Sequence, residues 1–265
     1  MRILITGAAK GFGRGLAIAF AGKGHDLALV DIDRNGLDQT ALEAERAGAR
    51  CRCYVVDVSD RVRVNELANI VFAEMGGIDM LVNNAGVLVV GDFVDIPIEE
   101  WDKIMGVNFW GYIYMLKAFL PAMIERGSGH VVNVSSIGGL IGCPIETAYA
   151  SSKFAICGMT EALYNEVADK GVKVTLVCPS SVETNIHNAA RHYGYGKGYE
   201  EEIKHSWSME FDKAISEMVR GIEKGKFLVI AGKVGKFAYY GRRISHGGYL
   251  AVQRRIYRSN QKYRT

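Results

Sequence analysis

From Lys224 to Thr265 the sequence contains no Asp or Glu, against eleven Lys and Arg. The net charge of +3 over 265 residues therefore conceals −8 on everything upstream. No apolar run approaches the ~20 residues that a membrane-spanning helix needs. The first strand begins at Arg2 and runs straight into a glycine loop, a pattern unlike a signal peptide. The five cysteines (Cys51, Cys53, Cys143, Cys157, Cys178) have no Cys-x-x-Cys spacing and no even pairing. They fit a reducing cytoplasm better than a disulfide framework. Cys51 and Cys53 share one face of a strand and read as buried thiols. Histidines 187, 192 and 205 lack metal-site spacing, so no metal is expected. Nucleic acid is disfavoured by the lack of any recognition motif. Internal repeats, low-complexity segments and linkers are absent too.

What is present is ordinary for a globular protein, with 49% hydrophobic and 23% charged residues. The length suits one domain with a full core. Short apolar runs alternate with helical segments. Strands are expected at Arg2–Thr6, Asp26–Asp31, Cys51–Val56, from Met80, at 130–135, Val172–Val177 and Phe227–Ala231. Between them, helices are expected to about Lys23, then over Arg34–Ala47, Arg61–Met75, Ile98–Arg126 with an interruption near Gly106, Thr147–Asp169 and Met209–Lys224. This alternation predicts an α/β fold: a doubly wound parallel sheet with right-handed crossovers.

Two stretches carry chemistry. The first is Gly7-Ala8-Ala9-Lys10-Gly11-Phe12-Gly13, which follows a strand and opens a helix, the context for holding a pyrophosphate at a helix N-terminus. Glycines there let the backbone approach the phosphates. Asp31 ends the second strand, where a carboxylate can accept from the adenosine ribose hydroxyls and repel a 2′-phosphate, favouring NAD over NADP. Lys10 and Arg14 argue mildly the other way. Asp57, ending strand three with Val58 beside it, could meet the adenine edge or cap the helix from Arg61.

The second is Tyr149-Ala150-Ser151-Ser152-Lys153. A Tyr four residues before a Lys on a helix puts both on one face. The ammonium is expected to lower the phenol's pKa from ~10 toward a useful range. Ser136, at the end of strand 130–135, could polarise a carbonyl beside the tyrosine. Asn108, within apolar helical neighbours, is expected to be paired and buried.

With Thr6-Gly7-x-x-x-Gly11-x-Gly13, Asn83-Asn84-Ala85-Gly86, Ser136 and Tyr149-x-x-x-Lys153 in order, the chain resembles the short-chain dehydrogenase/reductase family. Each piece is weak alone; the joint match is specific, close over residues 2 to about 184. The resemblance implies a Rossmann-type fold of seven strands, a nicotinamide cofactor, and a homodimer or homotetramer. It assigns Tyr149 as general acid/base and Lys153 as the cation that lowers its pKa and holds the nicotinamide ribose. Ser136 orients the substrate oxygen, and Asn108 holds a water in a proton relay. Asn83 braces the central strands, while Asn84, Ala85 and Gly86 line the cofactor cleft. After the sixth strand, Val182 and Thr184 match positions that meet the carboxamide in Pro179-Ser180-Ser181-Val182-Glu183-Thr184. Ser180 stands where the family usually has glycine, which puts substrate geometry in question.

Together these features lead us to expect oxidoreduction of an apolar or lipid-like secondary alcohol or ketone with NAD(H). The alternatives are an NADP-dependent carbonyl or oxoacyl reductase and a non-catalytic dinucleotide-binding regulator. Residues 1–232 form the expected catalytic domain, with an aromatic, glycine-spaced substrate loop over about 185–208. Residues 233–265 form a basic tail. There Tyr249, Val252, Ile256 and Tyr263 are expected on one helical face, Leu250 and Tyr257 at its edge, and Gln253, Arg254, Arg255, Arg258 and Lys262 opposite. Such a helix would pack on a partner subunit or lie on a membrane surface.

Overall fold

A computed structural model describes residues 1–182, 190–196 and 209–265. The expected parallel sheet is present. Seven strands lie in the order β3-β2-β1-β4-β6-β7-β9. They are β1 (Arg2–Thr6), β2 (Asp26–Asp31), β3 (Cys51–Val55), β4 (Met80–Asn83), β6 (Gly129–Val134), β7 (Val172–Pro179) and β9 (Leu228–Ala231). Every pairing is parallel. Along β1, Ile3 and Ile5 enter one hydrophobic layer and Leu4 the other, the alternation a strand buried on both faces must show.

The first layer receives α1 (Gly11–Ala21) through Leu16 and Phe20, α2 (Arg34–Arg46) through Leu37, and α7 (Phe211–Glu223) through Met218 and Ile222. The second receives α3 (Arg61–Met75) through Val64 and Val71, α5 (Gly111–Arg126) through Phe119, and α6 (Thr147–Glu166) through Leu163. Helix ends follow local chemistry. Asp33 accepts from the Gly36 amide at the start of α2, and Asp60 accepts from Val62 and Arg63 at the start of α3. The cap of α3 is thus Asp60. Asp57, weighed for that role, instead accepts from the amide and hydroxyl of Ser59.

The interruption expected near Gly106 is a π-helical turn, Gly106–Trp110, between α4 (Ile98–Met105) and α5. Two elements had no sequence signal. They are β5 (Val89–Gly91) and β8 (Arg191–Tyr193), three residues each, paired in parallel beside the main sheet. β8 falls within the expected substrate loop; most of the remainder of that loop lies outside the described residues. Met209 is not helical: it forms an isolated bridge with Val182.

The tail forms two helices, α8 (Lys233–Ile244) and α9 (His246–Asn260). α9 folds back on its own chain through Tyr249, whose hydroxyl donates to the Gly142 carbonyl, and Tyr257, which donates to Asp92. Gln253, expected on the solvent face, lies half-buried between these tyrosines, while Val252 and Ile256 point outward. The stripe Tyr249-Gln253-Tyr257 runs at i, i+4, i+8. Hydroxyls with partners on the body won the inward face over aliphatic groups with none. Among the described residues no helix is long and apolar enough to cross a membrane.

Candidate active site

A cleft of about 600 Å³ opens at the carboxyl ends of β1, β4, β6 and β7. The chain runs outward from β1 in one direction through β3, then returns to build the other half from β4. Between such halves the loops diverge and leave a crevice. Gly7, Lys10, Gly11, Phe12 and Asp31 line one end, Asn84, Ala85 and Gly86 the middle. Ser136, Tyr149, Lys153, Pro179 and Val182 line the other end.

At the first end, the glycine loop is locked to the loop after β4. The Thr6 hydroxyl accepts from the amides of Asn84 and Ala85 at 2.9 and 3.1 Å, and Asn84 Nδ2 donates to the carbonyls of Thr6 and Gly7. Gly7 has φ +67°, and a Cβ on it would come within 2.8 Å of Ala85 Cα. A Cβ on Gly13 would lie 2.0 Å from the Gly7 carbonyl oxygen. Gly13 therefore lets α1 close onto the loop, and it does not line the cleft. Asp57 and Val58 do not line it either. Asp57 is exposed, and Val58 packs against Gly111. Thr184 lies outside the described residues.

Asp31 accepts from the amides of Ala9 and Asp33, both at 3.0 Å, which fixes its carboxylate at the cleft edge. The two cations that could oppose it have carboxylate partners. Lys10 pairs with Asp33 at 2.7 Å and Arg14 with Glu43.

At the second end, α6 carries Tyr149 and Lys153 one turn apart, both buried. Lys153 Nζ donates to the Val134 carbonyl at 3.1 Å and to the Tyr112 hydroxyl at 3.4 Å. It stands 5.8 Å from the Tyr149 ring centroid. Burial lowers the Lys153 pKa to about 8. Burial also pushes the Tyr149 hydroxyl well above its ordinary value, opposed by a hydrogen bond with Ser136. The depression expected from Lys153 is thus not present in the protein alone. The ammonium is spent on a carbonyl and a second phenol, and desolvation outweighs the rest.

Asn108 is fully buried in the π-helical turn. Its Oδ1 accepts from the Val87 amide at 2.8 Å, and its Nδ2 donates to the Val87 carbonyl and to Ser152 Oγ, both at 3.0 Å. The extra residue in the turn aims this side chain at the strand-end loop; π-turns often mark functional sites. Asn83 donates to Asn133 Oδ1 at 2.9 Å, and Asn133 passes the network to Thr160, so Asn83 does link β4 to β6.

The short chain dehydrogenase family model matches residues 1–193. The chain belongs to this family. Among curated relatives, estradiol 17-beta-dehydrogenase 11 of Macaca fascicularis is 35% identical, covering 96% of this chain and 82% of that protein. Epidermal retinol dehydrogenase 2 of Mus musculus is 42% identical over 69% of this chain and 61% of its own length. A short chain dehydrogenase/reductase of Burkholderia phymatum, solved with NAD, superposes with TM-score 0.81 at 26% identity, covering 100% of this chain and 95% of its own. As a short-chain dehydrogenase/reductase, the protein is an NAD(P)-dependent oxidoreductase acting on CH–OH groups. Solved relatives hold NAD in one case and NADP in another.

The cleft suits such a dinucleotide: the loop admits no Cβ where the backbone must pass close. A Cβ on Gly86 would also crowd Asn108 Oδ1 at 3.3 Å and Lys153 Nζ at 3.5 Å. Three features in and around the cleft were not legible in the sequence: the contacts of Tyr112, the partner of Ser180, and Glu146. Tyr112, buried on α5, donates to the Val134 carbonyl and shares Lys153. Nothing local marks it, because its partners are 22 and 41 residues away. Ser180 accepts from the Gly235 amide at 3.1 Å, so the hydroxyl that replaces the family's glycine ties the cleft wall to α8. Glu146 lines the cleft near Tyr149 with its pKa raised by burial to about 7. It follows Ile145, a β-branched residue at φ +59°. That conformation costs roughly 1–3 kcal/mol and persists where the surroundings impose it; here the Ile145 carbonyl accepts from the Gly91 amide at 2.8 Å.

Proposed function

We propose that the protein moves a hydride between NAD(H) and an apolar or lipid-like secondary alcohol or ketone, with Tyr149 as the general acid/base. The observation that carries this reading is the convergence of Ser136, Tyr149 and Lys153 on the cleft that also holds the glycine loop and Asp31. When bound, the nicotinamide supplies or accepts the hydride. The chain's own residues do the rest. Ser136 holds the substrate oxygen beside the Tyr149 hydroxyl, and Tyr149 gives it a proton on reduction or takes one on oxidation. Lys153 keeps positive charge next to the phenolate that oxidation requires, and holds the nicotinamide ribose. Asn108 acts through Val87 and Ser152 to position the loop and helix that flank the reaction, and holds the water of the proton relay. Leu88, Ile137 and Val182 make an apolar wall for the substrate.

Asp31 supports NAD over NADP, and the pairing of Lys10 with Asp33 and of Arg14 with Glu43 supports it further. Gly7, Gly11, Phe12, Asn84, Ala85, Gly86 and Pro179 would contact the dinucleotide, with Val182 and Thr184 at the carboxamide. Five free cysteines support a reducing, cytoplasmic setting. The test is turnover of a panel of secondary alcohols and ketones followed at the NADH absorbance. Tyr149→Phe should lower kcat by roughly 10²–10⁴-fold while NADH still binds in calorimetry. Wild-type turnover that survives this substitution undiminished would remove Tyr149 from the mechanism.

A further inference from the structure

On α8, Val234, Phe237, Tyr240 and Ile244 recur at intervals of three, three and four residues, one helical stripe. They are 42%, 81%, 58% and 87% exposed. On α9, Leu250, Val252 and Ile256 are also turned outward, each more than two-fifths exposed. Nothing in the described chain covers these side chains, so more apolar surface is presented here than an isolated residue would explain. Basic groups border them. Lys233 stands on the same face of α8, Arg243 on its edge, and Arg254, Arg255 and Arg258 are exposed on α9 with no carboxylate partner among the described residues.

Charge decides what covers the face. A second copy of the chain related by a two-fold axis would bring the same patch against itself. With Lys233, Arg243, Arg254, Arg255 and Arg258 around the face and no Asp or Glu on either helix, that contact sets like charges together in a closing apolar interface. An anionic lipid surface meets both demands: headgroups take the cations, and the acyl boundary takes Phe237 and Ile244.

The location adds a purpose. α8 follows β9 directly and is held to the cleft wall by the bond from the Gly235 amide to Ser180 Oγ, and Ser180 itself lines the cleft. Arg242 points inward instead, donating to the Leu140 carbonyl and lying over the rings of Phe154 and Tyr249, so it fixes the angle between α8, α9 and the body. The helix that would touch lipid is therefore bolted to the site.

We propose that the outer face of α8 and α9 docks the protein on anionic bilayers, with the active-site cleft held beside the membrane surface. Docking is read without turnover, so it stands or falls separately from the catalytic assignment. The experiment is sedimentation of the full chain with vesicles of phosphatidylcholine alone or mixed with phosphatidylserine. Wild type should sediment with the mixed vesicles, less with phosphatidylcholine alone, and less again at raised salt. Two variants leave the cleft untouched: Phe237→Ser with Ile244→Ser, and Arg254→Glu with Arg255→Glu. Each should lose roughly 30-fold or more in partitioning, the scale set in the first by withdrawing two large apolar side chains from lipid and in the second by taking two arginines off an anionic surface. Circular dichroism melting and light scattering on the same samples check folding and oligomeric state. The second variant keeps the test intact if the first does not fold. Failure of wild type to sediment with either vesicle overturns the proposal. So does equal sedimentation of folded variants, or a wild-type dimer that Phe237→Ser with Ile244→Ser splits while vesicle binding is nil.

Discussion

Glu146 offers the sharpest quantitative prediction, because it joins a strained backbone, a titration and the catalytic phenol. Its carboxyl is raised from 4.5 to about 7 by burial. A carboxyl whose folded pKa exceeds its unfolded value favours folding while protonated. That contribution is complete below pH 4.5 and is lost as pH climbs through about 7. The full shift would correspond to roughly 3 kcal/mol, and since the side chain is only half-buried and faces the cleft, about 1–3 kcal/mol is the expected range. Glu146→Gln keeps the shape and removes the titration. Urea unfolding of both proteins at pH 5 and pH 8 isolates the group: the variant should gain on wild type by that amount between the two values. The charge has a second reading in kinetics. Ionised Glu146 raises the Tyr149 hydroxyl further, so the substitution should move the rise of alcohol oxidation with pH to lower pH. Identical pH profiles of stability in the two proteins would refute the reasoning, since the carboxyl would then be solvated as in the unfolded chain.

Two further predictions concern the ends of the cleft. Asp31→Ala should narrow the preference for NADH over NADPH in calorimetry, by removing the carboxylate that repels a 2′-phosphate; an unchanged ratio would deny Asp31 that role. Asn108→Ala leaves the Val87 amide and carbonyl and the Ser152 hydroxyl short of a partner, at a cost of roughly 2–4 kcal/mol. Urea unfolding measures it, and a loss under about 0.5 kcal/mol would mean that water replaces the side chain freely.

The expected tail face illustrates why a helical pattern alone was insufficient. Hydropathy grouped Tyr249, Val252 and Ile256 on one face for a partner subunit or a membrane; the folded chain turns Tyr249 inward with Gln253 and Tyr257 and leaves Val252 and Ile256 outward. Tyr249 finds the Gly142 carbonyl and Tyr257 finds Asp92, partners 107 and 165 residues away. An amphipathic moment counts apolarity along one helix and holds no information about acceptors on a distant surface. Asp57, weighed as a cap or an adenine contact, is a different case: the cap is decided locally, and Asp60, three residues on, is nearer the first helical amides. β5 and β8 were missed for another reason, because three-residue strands carry too few residues for alternation to register.

Sequence by itself determined the sheet, its parallel sense and the order of chemistry along it. Each strand is an apolar run between turn residues, each helix a local periodicity, and right-handed crossovers leave few ways to assemble them. It also determined that Tyr149 and Lys153 share a face, since four residues is one helical turn. Tertiary structure alone decided how those groups are tuned. Lys153 lies against Tyr112 and the Val134 carbonyl, Tyr149 is desolvated and bonded to Ser136, and Ser180 is drawn to α8. These are contacts between residues far apart in the chain, and desolvation depends on everything packed around a group. Local spacing places a side chain on its element; only the closed fold sets its dielectric, its partners and its charge.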